Sequence, residues 1–152
     1  MLAYMNKVAE IGIYYKSTPK VKPVIKSGND AFKLLIDNWD ENLIELQEEF
    51  KVILLNNANK VLGILPLSKG GITSCLVDVR LLFSVVLKAN ATAIIISHNH
   101  PSGKLTPSSS DYEITRKIKS AGKILDIILI DHIIITRVGY YSFVEEGDLS
   151  QL

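Results

Sequence analysis

Hydrophobic residues along this chain fall into short runs that are separated by polar turns. Residues 50–55 (FKVILL) form one apolar run, and a polar NNAN turn connects it to a hairpin partner at 60–67 (KVLGILPL). The β-branched run at 91–97 (ATAIIIS) is typical of a strand buried on both faces. Residues 124–136 predict two short strands or one bent strand, and residues 140–145 predict a last strand. The pattern therefore predicts a sheet of short, largely buried strands.

The first part of the chain predicts one further strand and one helix. Residues 8–16 (VAEIGIYYK) are strand-like, with partial alternation of apolar and polar positions. A helix is expected through residues 31–39 (AFKLLIDNW). Ser27, Asn29 or Asp30 could cap its N-terminus, since short polar side chains accept hydrogen bonds from the first free amides of a helix.

Two more segments have apolar residues at helical spacing. Residues 77–90 predict a helix with Asp78 as N-cap and Asn90 near its C-terminal end. Residues 108–122 predict another helix, with Gly122 expected just after its last turn. Helices and hairpins together favour an α/β (α+β) fold with a mixed β-sheet rather than an all-parallel one.

Length and composition indicate one globular domain. The chain has 152 residues, of which 47% are hydrophobic and 22% charged, and these values exclude a disordered or collagen-like protein. We predict a single domain over residues 1–152, with residues 1–44 as an N-terminal strand and helix extension. The formal net charge of +1 excludes a protein held on nucleic acid by bulk positive charge.

The chain lacks signals for export or membrane insertion. Its single cysteine, Cys75, cannot form an internal disulfide. The N-terminal residues contain no apolar run of the kind found in secretory signals. The apolar runs are much shorter than the ~20 residues that a membrane helix needs. We therefore expect a cytoplasmic protein without a membrane partner.

Candidate chemistry is concentrated after the buried strand at 91–97. His98 and His100 are two positions apart, so their imidazoles are expected to project from the same side of the strand end. Asp111 lies one turn into the next predicted helix, three residues after Ser108. Two imidazole nitrogens and a carboxylate oxygen would fill three positions of a tetrahedral zinc site and leave the fourth open for water.

Simpler explanations exist for parts of this pattern. A lone H-x-H is common, and Ser108-x-x-Asp111 is close to a helix capping box. Ser110 and Glu113 have the same spacing, so capping is not expected to require Asp111. The contiguous letters HNH do not indicate an HNH nuclease, whose motif residues are spread over a longer segment. A metallohydrolase barrel would need ~250 residues.

The same residues resemble a known family. The pattern H-x-H-x₇-S-x-x-D looks like the JAMM motif of MPN-type zinc metalloproteases, and HNHPSGKLTPSSSD with AGKILDIILIDHIII is similar to the RadC-like branch. The resemblance extends from about Glu45 to Gly147. It implies a cytidine-deaminase-like core, in which helices flank a mixed central sheet. It also implies zinc at one strand end, held by His98, His100 and Asp111.

The resemblance also implies a catalytic glutamate upstream, which acts as general acid and base. Family members place it eight residues before the Asn or Asp that ends an early strand. Asn56 ends the strand here, so the count favours Glu48 over the neighbouring Glu49. Glu48 also shares strand parity with Phe50, and Glu49 is expected to face the opposite side.

Further roles follow from the resemblance and from position. Ser108 would hydrogen-bond the oxyanion of a tetrahedral intermediate. Asn99, Ser102 and Gly103 would shape the loop over the site. His132 is expected to be a buried neutral histidine that is satisfied by backbone groups. Alternatively, His132 could hydrogen-bond a zinc ligand and orient it, whereas direct ligation by His132 is disfavoured.

The sequence therefore predicts a zinc-dependent hydrolase that cleaves an amide or isopeptide bond in a peptide or protein substrate. The alternative is a RadC-like protein associated with DNA repair or mobile elements. RadC proteins typically carry a helix-hairpin-helix module that grips DNA, and the first 45 residues are too few for that module plus a strand. The sequence leaves direct nucleic-acid binding open, and exposed strand edges are compatible with a homodimer.

Overall fold

The structure, a computed structural model, describes residues 21–71 and 75–152, so the strand predicted at 8–16 lies outside the described residues. The described elements, in chain order, are α1 (Gly28–Asp37), β1 (Glu49–Leu55), β2 (Val61–Lys69), α2 (Val79–Lys88), β3 (Ala93–Asn99), α3 (Ser109–Ile124), β4 (Ile128–Ile135), β5 (Tyr140–Ser142) and a short 3₁₀ helix (Leu149–Gln151).

The described strands form one mixed sheet in the order β2-β1-β3-β4-β5. β1 pairs antiparallel with both β2 and β3, and β5 pairs antiparallel with β4. β3 and β4 are parallel, because α3 carries the chain back to the starting edge of the sheet. The predicted mixed sheet flanked by helices, an α+β fold, is confirmed.

Helices cover both faces of the sheet. α2 and α3 pack on one face, around a buried core that includes Phe50, Val52, Leu82, Val86, Ile96 and Ile118. α1 packs on the other face, around Ala31, Leu35, Ile53, Ile95 and Ile133. Successive residues of a strand point to opposite faces. The parity of a strand residue therefore decides which helices it meets.

Two predicted helix starts are confirmed. Ser27 caps α1, because its hydroxyl accepts a hydrogen bond from the amide of Asp30 at 3.2 Å. Asp78 caps α2, and its Oδ1 accepts from the amides of Arg80 at 2.9 Å and Leu81 at 3.1 Å. Local polar side chains thus satisfy amides that the helix leaves free.

The start of α3 differs from the expectation. Ser108 is the N-cap, and its hydroxyl accepts from the amide of Asp111 at 3.2 Å. The Asp111 carboxylate in turn accepts from the amide of Ser108 at 2.6 Å, which completes a capping box. The expectation that Ser110 and Glu113 could make capping independent of Asp111 is wrong.

The end of α3 also differs from the prediction. The helix does not stop at Gly122 but continues to Ile124, and Asp126 takes the left-handed conformation with φ of 56°. A Cβ added at Gly122 would lie 2.5 Å from the carbonyl oxygen of Ile127. The glycine therefore permits the chain that enters β4 to approach the helix closely.

The later strands agree with the predicted runs in position and differ in length. Residues 124–136 supply one strand, β4, with an irregularity opposite the step from Ile94 to Ile95. β3 continues two residues beyond the predicted run, so His98 is itself a strand residue. β5 ends at Ser142, and the following residues turn away from the sheet.

Asp131 in β4 is a buried acid surrounded by donors. Its Oδ1 accepts from the amides of His132 at 2.8 Å and Val144 at 3.0 Å. Its Oδ2 accepts from the hydroxyl of Ser142 at 2.6 Å. Burial raises the pKa of Asp131 from 3.8 to about 6, although these hydrogen bonds lower it.

We expect Asp131 to make the protein less stable as the pH rises from about 4 to about 6. The stability from its raised pKa is fully present below the usual 3.8 and is lost as the pH rises through about 6. Asp131→Asn should remove this decrease of up to about 3 kcal/mol in the free energy of unfolding, measured by urea denaturation across this range. Asp37→Asn, at an exposed position, is the control. An unchanged pH profile in Asp131→Asn would contradict the assignment.

Candidate metal centre

Three potential metal ligands converge at the carboxyl end of β3. The Nε2 atoms of His98 and His100 are 2.9 Å apart. Asp111 Oδ1 lies 3.0 Å from His98 Nε2, and Asp111 Oδ2 lies 3.6 Å from His100 Nε2. One ligand atom from each residue lies within 4.8 Å of the others, so the cluster could hold a metal ion.

The loop between β3 and α3 brings these side chains together. The amide of His100 donates to the carbonyl of Ile135 at 3.0 Å, which continues the β3–β4 pairing beyond the last strand residue. The amide of Gly103 then donates to the carbonyl of His100 at 3.0 Å. Gly103 has φ of +79°, which favours glycine. This turn reverses the chain, so the first turn of α3 places Asp111 against the end of β3.

His100 is held through its second ring nitrogen. Its Nδ1 donates to the carbonyl of Lys104 at 2.5 Å, because a carbonyl oxygen can only accept. The Nε2 of neutral His100 therefore has a free lone pair on the side of His98 and Asp111. Burial lowers the pKa of His100, but the Asp111 carboxylate and the Lys104 carbonyl stabilise the protonated ring more strongly, so that the pKa is raised overall.

Asp111 divides its two oxygens between structure and the candidate site. Oδ2 accepts from the amide of Ser108 at 2.6 Å and from its hydroxyl at 2.8 Å. Oδ1 faces His98 Nε2. Burial opposes ionisation, but the neighbouring His100 and His98 rings, which stabilise the carboxylate when they are protonated, and the hydrogen bond from the Ser108 amide hold the pKa of Asp111 far below its usual range. Asp111 is therefore ionised, and it serves as a capping residue without using Oδ1.

Ser108 lies at the wall of the same cleft. Its hydroxyl donates to Asp111 Oδ2 at 2.8 Å and accepts from the Asp111 amide at 3.2 Å. The hydroxyl hydrogen is therefore engaged by Asp111 in this structure. A role at a substrate oxyanion requires this hydrogen to rotate away from Asp111 Oδ2.

His132 lies directly behind His98 and is completely buried. Its Nε2 is 2.8 Å from His98 Nδ1, and its Nδ1 is 2.6 Å from the hydroxyl oxygen of Thr115. The expectation that backbone groups satisfy His132 is wrong, because both ring nitrogens have side-chain partners. Burial lowers the pKa of His132 well below its usual value, so the ring is neutral.

Glu48 and Glu49 lie on opposite sides of β1. Glu48 lines the cleft that contains the histidines, two residues before Phe50, which pairs with His98. Its backbone is fixed by Gly70 and Gly71, through hydrogen bonds of 2.8 and 3.0 Å. Burial raises the pKa of Glu48, whereas the two histidines oppose this shift.

Glu49 has structural partners instead. Its carboxylate lies 3.1 Å from Lys69 Nζ and 3.8 Å from Lys51 Nζ. Glu49 does not line the cleft. The parity argument from the sequence thus matches the geometry, which brings Glu48, rather than Glu49, to the candidate metal centre.

Asn99 has a different position from the one expected. It does not shape the loop over the cleft but points to the opposite side of β3, where it is completely buried. Its Nδ2 donates to the carbonyls of Ile44 and Gln47, each at 2.8 Å. Its Oδ1 accepts from the amide of Glu49 at 2.7 Å. Asn99 therefore fixes the segment that carries Glu48 to the strand that carries His98.

Asn99→Asp should strongly destabilise the protein. The aspartate keeps the shape and the acceptor for Glu49, but its second oxygen would face two carbonyl oxygens without a hydrogen to share. Buried polar groups that lose their partners cost about 1–3 kcal/mol each, so we expect a loss of about 2–5 kcal/mol in the free energy of unfolding by urea denaturation. Asn57→Asp, in an exposed turn, should change it by less than about 0.5 kcal/mol. Equal values for both variants would contradict this role.

The candidate ligands form one wall of an open cleft with a volume of about 920 Å³. Apolar side chains of Phe50, Leu76, Val77 and Ile114 line part of it, together with Cys75. Polar groups line the remainder, including Glu45, Ser102, Lys104, Thr106 and Ser110. Burial raises the pKa of the Cys75 thiol, so it is not an activated nucleophile.

The donor atoms fit a zinc ion. Nitrogen and oxygen ligands at ~2.0–2.1 Å from a tetrahedral zinc are about 3.3 Å apart. His98 Nε2 lies at comparable distances of 2.9 Å from His100 Nε2 and 3.0 Å from Asp111 Oδ1. Two imidazoles and one carboxylate are also a ligand set that zinc enzymes use. The residues could therefore hold a divalent metal, with protein groups on one side of it and the cleft on the other.

Comparison with known proteins identifies the family. Residues 25–148 match the RadC-like JAB domain. The chain belongs to the RadC-like JAB domain family. The match includes the candidate ligands and Glu48, so the family resemblance predicted from the sequence is confirmed.

Relatives of this RadC-like JAB domain occur in diverse bacteria. It is 52% identical over 124 residues to a UPF0758 protein of Flavobacterium johnsoniae, and this alignment covers 81% of this chain and 52% of the relative. A UPF0758 protein of Desulfitobacterium hafniense is 42% identical, and the alignment covers 88% of this chain and 57% of the relative. A UPF0758 protein of Thermotoga maritima is 43% identical, and the alignment covers 72% of this chain and 50% of the relative. The chain thus spans about half the length of the curated relatives it matches. None of its described helices is long and apolar enough to cross a membrane.

Sequence reasoning overlooked Thr115 in this RadC-like JAB domain. Thr115 follows Asp111 by four residues, and residues at that spacing share one face of a helix. The helical pattern could therefore have placed its hydroxyl near the candidate ligands. Asn99 gave no comparable signal, because its partners are distant in sequence.

Proposed function

We propose that this RadC-like JAB domain is a zinc metallopeptidase that hydrolyses an amide or isopeptide bond. The convergence of two Nε2 atoms and one ionised carboxylate oxygen in the wall of an open cleft carries this proposal. Glu48 lines the same cleft, so a candidate proton acceptor lies on the substrate side of the ligands.

Three side chains would hold the metal. His98 and His100 would supply Nε2, and Asp111 would supply Oδ1, while its Oδ2 keeps the capping bonds from Ser108. Bound zinc supplies Lewis acidity, which lowers the pKa of a coordinated water from 15.7 to about 7. The three side chains line the open cleft, so a substrate carbonyl would approach the metal from the cleft.

Glu48 would act as general base and then as general acid. Its carboxylate takes a proton from the attacking water and later transfers it to the nitrogen of the departing amine. Burial already raises the pKa of Glu48, which makes the protonated form easier to reach in the second step. Proton transfer of this kind contributes about 10²–10⁴ in rate.

Ser108 would stabilise the charge that develops on the carbonyl oxygen. When its hydroxyl hydrogen turns from Asp111 Oδ2 toward the cleft, it can donate to that oxygen. The Ser108 amide still donates to Asp111 Oδ2 at 2.6 Å, so the carboxylate remains held during the change. Such donors are worth about 10²–10³ in rate when they face a developing oxyanion.

The shape of the cleft favours a peptide or protein substrate. Its volume of about 920 Å³ exceeds what a single amino acid needs. Apolar groups such as Leu76 and Val77 line it beside polar ones such as Ser102. This mixture suits a peptide segment, which presents both side chains and backbone polar groups.

The proposal is tested with purified protein and a proteome-derived peptide library. We expect about one zinc ion per chain, and we expect the zinc-loaded protein to generate new amino groups that labelling and mass spectrometry detect. The double variant His98→Ala/His100→Ala should lose both the zinc and the cleavage. Absence of zinc binding in the wild-type protein, or equal binding in the double variant, would overturn the metal site. Cleavage of DNA instead of peptides would favour the nucleic-acid alternative.

A further inference from the structure

His98 has an unusual partner behind it. The second nitrogen of a metal-binding histidine commonly donates to a carboxylate, a carbonyl or water, and these partners fix which nitrogen is protonated. Here the partner of His98 Nδ1 is another imidazole, His132 Nε2, at 2.8 Å. Either ring can donate in such a pair, so the pair alone does not determine which nitrogen of His98 is free for a metal.

Thr115 resolves the ambiguity. Its hydroxyl donates to the carbonyl oxygen of Asp111, four residues earlier in α3, and that oxygen can only accept. A hydroxyl has one hydrogen, so Thr115 has none left for His132. The contact of 2.6 Å between Thr115 Oγ1 and His132 Nδ1 therefore requires that Nδ1 carries the hydrogen and donates it.

The direction of donation between Thr115 and His132 then determines the direction of the next hydrogen bond, toward the candidate metal centre. A neutral imidazole protonated at Nδ1 has a lone pair at Nε2, so His132 accepts from His98 Nδ1. His98 is thus protonated at Nδ1, and its Nε2 lone pair faces Asp111 Oδ1 at 3.0 Å. The hydrogen-bond chain begins at the backbone of one candidate ligand, Asp111, and ends at the ring of another, His98.

Packing holds this chain of hydrogen bonds in one arrangement. The His132 ring stacks on Phe143, with ring centroids 4.7 Å apart and an interplanar angle of 12°. The centroid of the Phe50 ring lies 6.1 Å from that of His132. His132 and Thr115 are both completely buried. Water therefore cannot easily replace either partner, and rotation of the ring would break both of its hydrogen bonds.

We propose that Thr115 and His132 are positioning residues that order the protons behind the metal centre, so that His98 presents its Nε2 lone pair to the metal. The effect on metal binding rests on the proposed metal site, whereas the proton order itself is a property of the metal-free protein. His100 does not depend on this chain, because its Nδ1 donates to Lys104. One candidate ligand is therefore ordered by a backbone carbonyl and the other by the Thr115–His132 pair.

The proton order is measured directly by NMR of metal-free protein with ¹⁵N-labelled histidine. The chain contains three histidines, and all of them belong to this cluster. At pH about 8, above the usual histidine pKa of about 6.5, we expect His98 and His132 to be protonated at Nδ1. Protonation of His98 at Nε2 in the wild-type protein would overturn the proposal, and this measurement needs no variant.

Thr115→Val removes the hydroxyl while it keeps the shape of the side chain. We expect His98 to become a mixture of both tautomers in this variant, whereas His100 stays protonated at Nδ1. Thr115→Ser retains a hydroxyl and should restore the wild-type pattern. Thr136→Val is the matched control, since Thr136 is also buried and also donates to a carbonyl, that of Gly139. An unchanged His98 tautomer in Thr115→Val would overturn the proposal.

Zinc affinity, measured by competition with a chelator, tests the consequence. We expect Thr115→Val to bind zinc about 10–100-fold more weakly, as is typical for the loss of a partner behind a ligand. Thr115→Ser and Thr136→Val should remain within about twofold of the wild-type protein. Wild-type affinity in Thr115→Val would overturn the role of the pair. If the wild-type protein bound no zinc, the proposed function would fail, and the tautomer measurement would still decide the proton order.

Discussion

Glu48→Gln should slow hydrolysis by orders of magnitude and leave zinc binding within about twofold of the wild-type value. Glutamine keeps the size of the side chain but cannot accept a proton from water at neutral pH. The expected loss is about 10²–10⁴ in the rate of cleavage. The candidate ligands His98, His100 and Asp111 are unchanged by this substitution. The rate of cleavage should therefore fall while the zinc affinity stays the same.

Glu49→Gln is the matched control for this experiment. Glu49 is the next residue of the chain, has the same charge and is buried, but its carboxylate pairs with Lys69 and Lys51 rather than lining the cleft. We expect this variant to retain activity and to lose stability, because it removes the carboxylate that lies beside the buried Lys51 ammonium. An inactive Glu49→Gln beside an active Glu48→Gln would contradict the assignment of the base.

Glu48→Gln also offers a route to the substrate. The variant keeps the proposed ligands and the cleft, so it should bind a substrate without releasing products. Crosslinking followed by mass spectrometry would then identify chains that the variant retains and His98→Ala/His100→Ala does not. This comparison removes proteins that adhere to the surface regardless of the metal centre.

Local sequence patterns predicted much of the fold because they depend on neighbouring residues. The run at 50–55 makes up β1 except for its first residue, and Ser27 and Asp78 cap helices as their positions suggested. Gly122 shows where such patterns fail. Glycine is common after a helix, but this one lies within α3 because the chain before β4 passes close to it. That contact is tertiary, and composition near Gly122 does not reveal it.

The candidate ligands were predictable because their spacing combines strand parity with one helical turn. The groups behind them were not, because they come from elsewhere in the chain. His132 reaches His98 only through the parallel pairing of β3 with β4, in which it lies opposite Ile96. Asn99 bonds to backbone groups that are 50 to 55 residues away. The register of the sheet had to be known before either role could be assigned.

Asp111→Asn should weaken zinc binding by about a hundredfold or more, beyond the 10–100-fold typical of partners behind a ligand. The two oxygens of Asp111 have separate tasks, which explains why one substitution can divide them. Oδ2 accepts from the amide and hydroxyl of Ser108, and Oδ1 faces His98. Asparagine has one acceptor oxygen and one amide nitrogen, so it can perform only one of these tasks.

The capping bonds determine how the asparagine orients. Its oxygen must face Ser108, since an amide group there would oppose the Ser108 amide donor at 2.6 Å. The nitrogen then takes the place of Oδ1, where it can donate to the lone pair of His98 Nε2 but cannot bind a cation. We therefore expect the metal-free variant to be as stable as the metal-free wild-type protein, within about 1 kcal/mol.

Stability in the absence and presence of zinc separates the two roles of Asp111. A ligand contributes only when the metal is bound, because binding to the folded state stabilises a protein according to its affinity. Thermal unfolding of wild-type protein and Asp111→Asn should therefore coincide after chelation and diverge when zinc is added. Glu113→Gln removes a similar charge from the first part of α3 at an exposed position, and it should follow the wild-type protein in both conditions. If Asp111→Asn instead loses stability after chelation and keeps its zinc, Asp111 is a capping residue only, and the third ligand belongs to another group of the cleft.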